Sequence, residues 1–425
     1  MRHYVEEVKL KSGAKGLLIN VPGASVMSTR VAFRAGLRYS KKPEIYETAH
    51  VVEHLSFGAN SKFKSEGEYE AEFTKNGAYH NAWTSDISVC YETECADFEW
   101  DRILDLKRLA ICEPRFNEIE LKSEKGNVKS ELTGYMNDYN RLLWPRVQQQ
   151  IGEAVENLSE RVRTIQNIEL KDIREHYRRT HTAKNMRFII AGNLSFFRKR
   201  KILKMLNSWN LKEGERFEIP LDTLHSGSPI LIRRKDATNL TFGFSFLTPR
   251  RLETSEAYSI GALNHILTGT MNSKIFGEAR KRGLVYSFES GLTYDELNTS
   301  WDFSGEVELE KAEELFELVH SALETVLNGN LDEEDIEAAK SYMLGRAQIS
   351  AQTVGNLADF YADEYFKADE IENYDLIPVY IDQINKTEII KLAREFAGSE
   401  ISSLVAVGSC EKSFITPLAD RLKVL

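Results

Sequence analysis

The chain has 425 residues, 42% of them hydrophobic and 28% charged, which excludes a disordered or low-complexity polymer and suggests two or three domains rather than one core, with two as the working count. A formal net charge of −10 excludes broad binding to nucleic acid, which needs a basic surface. No run nears the roughly 20 consecutive apolar residues of a membrane-spanning helix, and Cys90, Cys95, Cys112 and Cys410 lack paired metal-binding spacing and read as reduced thiols.

The first residues, Met1 to Glu7, lack the apolar core of a signal peptide, so a cytoplasmic protein is expected. A strand over Gly16–Asn20 and a turn at Pro22-Gly23 lead to a second strand, Thr29–Arg34, ending at Gly36. Pro43 and Glu44 suit the first turn of a helix and Gly58 its stop, which makes the segment His50-Val51-Val52-Glu53-His54 helical. Further on the pattern predicts a helix over 68–76, strands over Tyr79–Thr84 and Ile87–Thr93, and helices over 97–112 and 117–139. The half closes with a helix near 170–180 and the strand Met186–Gly192. The run Arg198-Lys199-Arg200-Lys201 reads as the solvated face of a following helix.

Residues 210–228 are polar and rich in Gly, Pro and Ser, the composition of a linker. Beyond them the order of elements returns. Strands are expected at Ile230–Arg233 and Leu240–Leu247, helices over 254–268 and 273–281, strands over 284–292 and 300–308, helices over 310–328 and 332–350, and a last strand at Ser403–Gly408 that echoes the one ending at Gly192. The expected fold class is therefore α+β with two homologous domains, each a mixed β-sheet packed with helices: an N-terminal domain over 1–215, a linker over 216–228 and a C-terminal domain over 229–425. Only the first carries the His-Glu-His set; the matching helix of the second holds His265, read as an ordinary partly buried side chain.

At about 100° per residue, His50 and His54 stand one turn apart on one face, the spacing at which two imidazoles grip one metal ion. Glu53 shares that face closely enough to act as general base toward a water. A third ligand is available on the long helix, where Glu124 and Glu131 project together, one to complete the donor set and the other to orient a histidine. Glu47 and Glu120 compete for the ligand role.

These residues resemble the inverted-motif (HxxEH) zinc peptidases, the family of pitrilysin, insulin-degrading enzyme and mitochondrial processing peptidase. The resemblance runs along the whole chain. The segment Glu124 to Glu131 is similar to the family's downstream acidic motif, which implies Glu131 as the distal zinc ligand and Glu124 as its supporting carboxylate. The segment Gly77 to Thr84 is similar to the family strand that lies beside the metal and pairs with extended substrate, which implies Asn81 and Ala82 as substrate contacts. In the second half, Phe276 to Ser287 resembles the segment whose Arg and Tyr help to bind substrate and stabilise the oxyanion. There the sequence departs from the pattern: counted back from Tyr286 the Arg position holds Ala279, and counted from Phe276 it holds Arg280, with Arg282 as a rival. Arg280 and Tyr286 are preferred.

The resemblance implies a zinc metalloendopeptidase with one Zn²⁺ per chain, hydrolysing short unfolded peptides with Glu53 as base. Because the family chamber uses four related domains and this chain supplies two, a homodimer is expected, or else a heterodimer with a homologous subunit. No nucleic-acid or membrane partner is expected. The alternative is a catalytically silent scaffold or a partner-dependent peptide-maturation subunit of the same fold.

Overall fold

A computed structural model describes residues 1–294 and 297–423. In chain order the first half holds strands β1 (Tyr4–Lys9), β2 (Lys15–Asn20) and β3 (Val26–Arg34), then helices α1 (Thr48–Ser56) and α2 (Glu66–Thr74). Strands β4 (Tyr79–Thr84) and β5 (Ser88–Ala96) precede α3 (Trp100–Cys112), α4 (Glu118–Tyr135), α5 (Tyr139–Gln150), α6 (Leu158–Thr164) and α7 (Leu170–Thr180). Strand β6 (Met186–Gly192) and helix α8 (Phe196–Asn207) close it. The second half holds β7 (Ile230–Arg233), β8 (Asn239–Thr248), α9 (Thr254–Asn264), α10 (Phe276–Lys281), β9 (Val285–Tyr294), β10 (Thr299–Glu308), α11 (Ala312–Leu327) and α12 (Glu333–Ser350). It ends with α13 (Val354–Ala368), α14 (Ile377–Gln383), α15 (Lys386–Ala397), β11 (Ser402–Gly408) and α16 (Lys412–Lys423).

The first sheet runs β1-β2-β6-β3-β5-β4 and the second β7-β11-β8-β10-β9. With β1 set aside the two orders are the same, and each has one parallel pair at the matching place, β2 with β6 and β7 with β11. The chain is thus a duplicated α+β fold.

In the first unit β3 is buried on both faces, and the period-2 alternation of a strand divides its side chains. Met27, Val31 and Phe33 join Tyr69 and Phe73 of α2 and Ile103 and Leu104 of α3 in one core. Arg30, on the other face, pairs with Glu92 and Glu94 of β5 and with Asp359 of α13. Burial pushes the thiols of Cys90, Cys95 and Cys112 up to about 12, which makes them inert. In the second unit Phe242, Phe244 and Phe246 share a face of β8, where Phe244 stacks on Phe303 at 4.6 Å and Phe242 meets Phe316 of α11 at 4.9 Å. The opposite face of β8 carries Gly243, and the ring of Trp144 from α5 lies where a Cβ would meet it at 3.7 Å.

The two compact units are interleaved along the chain rather than divided at 216–228. Unit one is Met1–Gly134, Ser159–Pro220 and Ile349–Glu372; unit two is Tyr135–Leu158, Leu221–Gln348 and Asn373–Leu425. The physical reason is that each sheet has two faces to cover: α5 from the first half lies on β8 and β11, and α13 from the second half lies on β3 and β6. The expected linker residues bond firmly within their own units. Arg34 and Arg38 donate to the carbonyls of Phe217 and Pro220, while Gln150 donates to those of Gly227 and Ser228.

Some element ends differ from the sequence pattern. Pro43–Ile45 is a separate 3₁₀ turn, and α1 begins only at Thr48. The helix expected over 117–139 stops at Tyr135, because the Asp138 side chain accepts from the amides of Asn140 and Arg141 and starts a new helix. Helix α9 gives way to a π turn over His265–Gly269, where His265 stacks on Tyr342 at 4.1 Å.

Candidate metal centre

Helix α1 is buried along almost its whole length, including Thr48, His50, Glu53 and Ser56. Polar groups in such a helix must be satisfied by fixed partners, and these define the site. His50 and His54 lie one turn apart with ring centroids at 5.0 Å. His50 Nδ1 is 3.0 Å from Glu47 Oε2, and His54 Nδ1 is 3.0 Å from Glu124 Oε2. Each imidazole thus gives its Nδ1–H to a carboxylate, which leaves both Nε2 lone pairs free as donors. Both Nε2 atoms lie 3.6 Å from the same oxygen, Oε2 of Glu131.

That spacing is too long for hydrogen bonds. It suits ligands of one ion, since atoms bound tetrahedrally at about 2.0–2.1 Å stand roughly 3.3–3.4 Å apart. Donor atoms of His50, His54 and Glu131 all fall within 4.8 Å of one another, so two imidazole nitrogens and a carboxylate oxygen form a set that fits a divalent cation.

The electrostatics agree. Burial works to lower the His54 pKa, yet the carboxylates of Glu124, Glu131 and Glu53 drive it up to about 10, so the pocket favours positive charge. The bond from His54 holds Glu124 below its ordinary value, and Asn127 Nδ2 donates to both of its oxygens at 3.1 and 3.2 Å. Burial would raise the Glu47 pKa, but Arg161 of α6 and His50 together bring it below its ordinary value. Of the competing carboxylates, Glu47 supports His50, and Glu120 instead accepts from the Ala59 amide and Asn117 Nδ2.

Glu53, 7% exposed, accepts through Oε2 a 2.7 Å hydrogen bond from the Thr84 hydroxyl on β4. Strand β4 is the edge of its sheet, paired only with β5. Ala82 and Thr84 share a face, with Ala82 buried; Asn81 is exposed on the other face, opposite Glu92. Asn81 therefore offers the edge its backbone, while its side chain points away from Glu53. Arg280 and Tyr286 lie in the second unit and belong together: the guanidinium sits over the phenol ring at 5.0 Å, and Tyr286 is 84% exposed. Arg282 instead pairs with Glu278.

Three supporting residues are given no role by sequence reasoning. Thr84 and Asn127 lie inside the two resembling segments, Gly77 to Thr84 and Glu124 to Glu131, without being singled out there, and Arg161 reaches Glu47 from 114 positions away. Glu47 and Glu124 do have local signals, Glu47 three residues before His50 and Glu124 on the face of Glu131.

Comparison with known proteins gives two family matches. The model described as Insulinase (Peptidase family M16) matches residues 16–161, and Peptidase M16 inactive domain matches 167–343. Among curated proteins, "Uncharacterized zinc protease YmxG" of Bacillus subtilis (strain 168) is 23% identical over 362 residues, covering 83% of this chain and 86% of its own. Among solved structures, a protease from Helicobacter pylori has TM-score 0.83 at 18% identity, covering 96% of this chain and 100% of its own. A structure of a peptidase M16 inactive domain from Pseudomonas fluorescens has TM-score 0.84 at 15% identity, covering 96% of this chain and 98% of its own.

Proposed function

Since this chain belongs to the M16 peptidase family, in its small two-domain form, we propose that it is a zinc-dependent endopeptidase that hydrolyses short unfolded peptides. The observation that carries the reading is the pair of imidazoles, each fixed at Nδ1 by a carboxylate, that turn both Nε2 atoms to one oxygen of Glu131. His50, His54 and Glu131 would hold the ion. Bound zinc supplies Lewis acidity, polarising a carbonyl and acidifying water toward neutral pH.

The chain's own residues do the rest. Glu53 takes a proton from the attacking water and returns it to the leaving amine. Thr84 fixes one oxygen of that carboxylate and leaves the other for the proton. Glu47 and Glu124 hold the two imidazoles in the tautomer that frees Nε2. The open edge of β4 at Asn81 and Ala82 offers main-chain hydrogen bonds to an extended peptide. Arg280 and Tyr286 are the proposed substrate-binding pair of the second unit. The family model described as an inactive domain matches 167–343, and the donor set lies in the part matched by the Insulinase model, 16–161. A homodimer in the cytoplasm completes the proposal, and no helix among the described residues is long and apolar enough to cross a membrane.

Metal analysis of the purified chain should find one zinc per chain, with chelation abolishing cleavage of an unstructured peptide pool and added zinc restoring it. A chain that holds zinc, cleaves nothing alone and gains activity with a homologous subunit would favour the partner-dependent reading. Thr84→Val should lower kcat about 10-fold at unchanged zinc content, measured by steady-state kinetics. An unchanged kcat would remove Thr84 from the machinery.

A further inference from the structure

One end of the first sheet gathers an aromatic and basic surface that the peptidase site does not use. Strands β3 and β5 pair there at Val26 and Ala96, and β3 and β6 at Ser28 and Ala191. The chain segments leaving β5 and β6 therefore emerge at the same end of the sheet, on either side of β3. They carry Phe98, Phe196 and Phe197, which are 75%, 67% and 79% exposed. The chain has 21 phenylalanines, and these three are the ones classed as exposed. Arg198 ties the two segments together by pairing with Asp97.

Helix α8 buries Ile202 and Leu206, and its spacing then sends Phe197, Arg200, Lys201 and Lys204 outward. Arg198, Lys199 and Lys201 are matched by Asp97, Glu6 and Asp101. Arg200, which lies 5.7 Å from the Phe196 ring centroid, and Lys204 have no carboxylate partner among the described residues. The patch is thus locally cationic on a chain of net charge −10.

We infer that this surface docks the enzyme on an anionic phospholipid bilayer, with Phe98, Phe196 and Phe197 entering the interface and Arg200 and Lys204 meeting the headgroups. Rings exposed to this degree stand out from the surface, which suits the disordered boundary of headgroups and acyl chains. Unpaired cations beside them complement the anionic cytoplasmic leaflet. This replaces the expectation that the chain has no membrane partner, without any spanning segment.

The test is flotation of the full chain with vesicles of mixed phosphatidylglycerol and phosphatidylcholine, against vesicles of phosphatidylcholine alone. Binding should favour the mixed vesicles, weaken as salt rises, and fall about 10-fold or more in the Phe98→Ser, Phe196→Ser, Phe197→Ser triple variant. Arg200→Glu with Lys204→Glu should lose the preference for mixed vesicles. Melting temperature and peptide cleavage in solution should be those of the unmodified chain in both variants, which separates this surface from the metal site. Absence of binding to mixed vesicles, or equal binding by the triple variant, would overturn the inference. So would a dimer in solution that the triple variant abolishes while vesicles bind neither protein, since the rings would then be a contact between copies of the chain.

Discussion

Glu53→Gln should lower kcat for peptide cleavage by about 1,000-fold, the range set by removing a general base, while zinc content and fold stay as they are. Glutamine keeps the length of the side chain and can still accept from the Thr84 hydroxyl, which donates to Glu53 at 2.7 Å, so β4 should keep its seat against α1. What disappears is a group able to hold a proton between the water and the leaving amine. A 1,000-fold loss corresponds to about 4 kcal/mol at the transition state, with KM little changed because the substrate's ground-state contacts remain. Full activity in a zinc-loaded Glu53→Gln protein would assign the base elsewhere.

The second large effect is on stability. Asp369 terminates α13 in the left-handed region at φ 59. Its carboxylate receives Arg187 Nη2 at 2.6 Å, with Lys15 at 3.6 Å and Arg216 at 3.8 Å. Arg187 is 4% exposed, so losing this partner leaves a nearly buried guanidinium with only the carbonyls of Lys184 and Met186. Breaking a buried pair costs about 3–5 kcal/mol; the partial exposure of Asp369 and those two carbonyls bring the expectation to about 2–3 kcal/mol. Asp369→Asn isolates the charge, because asparagine tolerates the same backbone conformation. The first unit should then melt about 5–10 °C lower.

The effect should depend on pH. Burial alone would raise the Asp369 pKa, but the three cations hold it below the ordinary 3.8. A depressed carboxylate contributes stability that is present above its unfolded pKa and lost as pH falls through the folded one. The gap between Asp369→Asn and the unmodified protein should therefore be full at neutral pH and close below about pH 4. A variant that melts with the parent at neutral pH would show the cluster to be no more than a surface pair.

What the sequence reveals about this molecule depends on the range of the interaction. The imidazole spacing on α1 and the shared face of Glu124 and Glu131 on α4 are local helical periodicities, and both survive into the structure. The strands flanking those helices alternate clearly, and both sheets are present with the duplicated order. The chain-order pattern assigns no element to 139–150 or 354–368, the segments that become α5 and α13. Helix α5 contains Pro145 and a polar Gln148-Gln149-Gln150 end, which weaken the helical signal. Helix α13 carries buried Val354, Leu357, Ala358, Tyr361 and Tyr365, a legible apolar stripe, but nothing near it says which sheet it covers. That choice involves long-range pairs such as Arg30 with Asp359, 329 positions apart, and Arg187 with Asp369. The partners of Glu53 and Glu47 were hidden for the same reason, since the contacts of Thr84 and Arg161 form only when β4 and α6 have come back to α1.

The passage of α13 onto the first sheet has a consequence for the making of the protein. During synthesis the histidines leave the ribosome early, yet the unit that holds them is not complete until Glu372 has followed. Until then the face of β3 that carries Arg30 has no covering helix, and closing a contact over more than 300 residues is slow compared with local folding. The nascent chain must therefore carry an unfinished sheet through most of its translation, and a fragment cut at the apparent linker would inherit His50, His54 and Glu131 without the means to bury the sheet behind them.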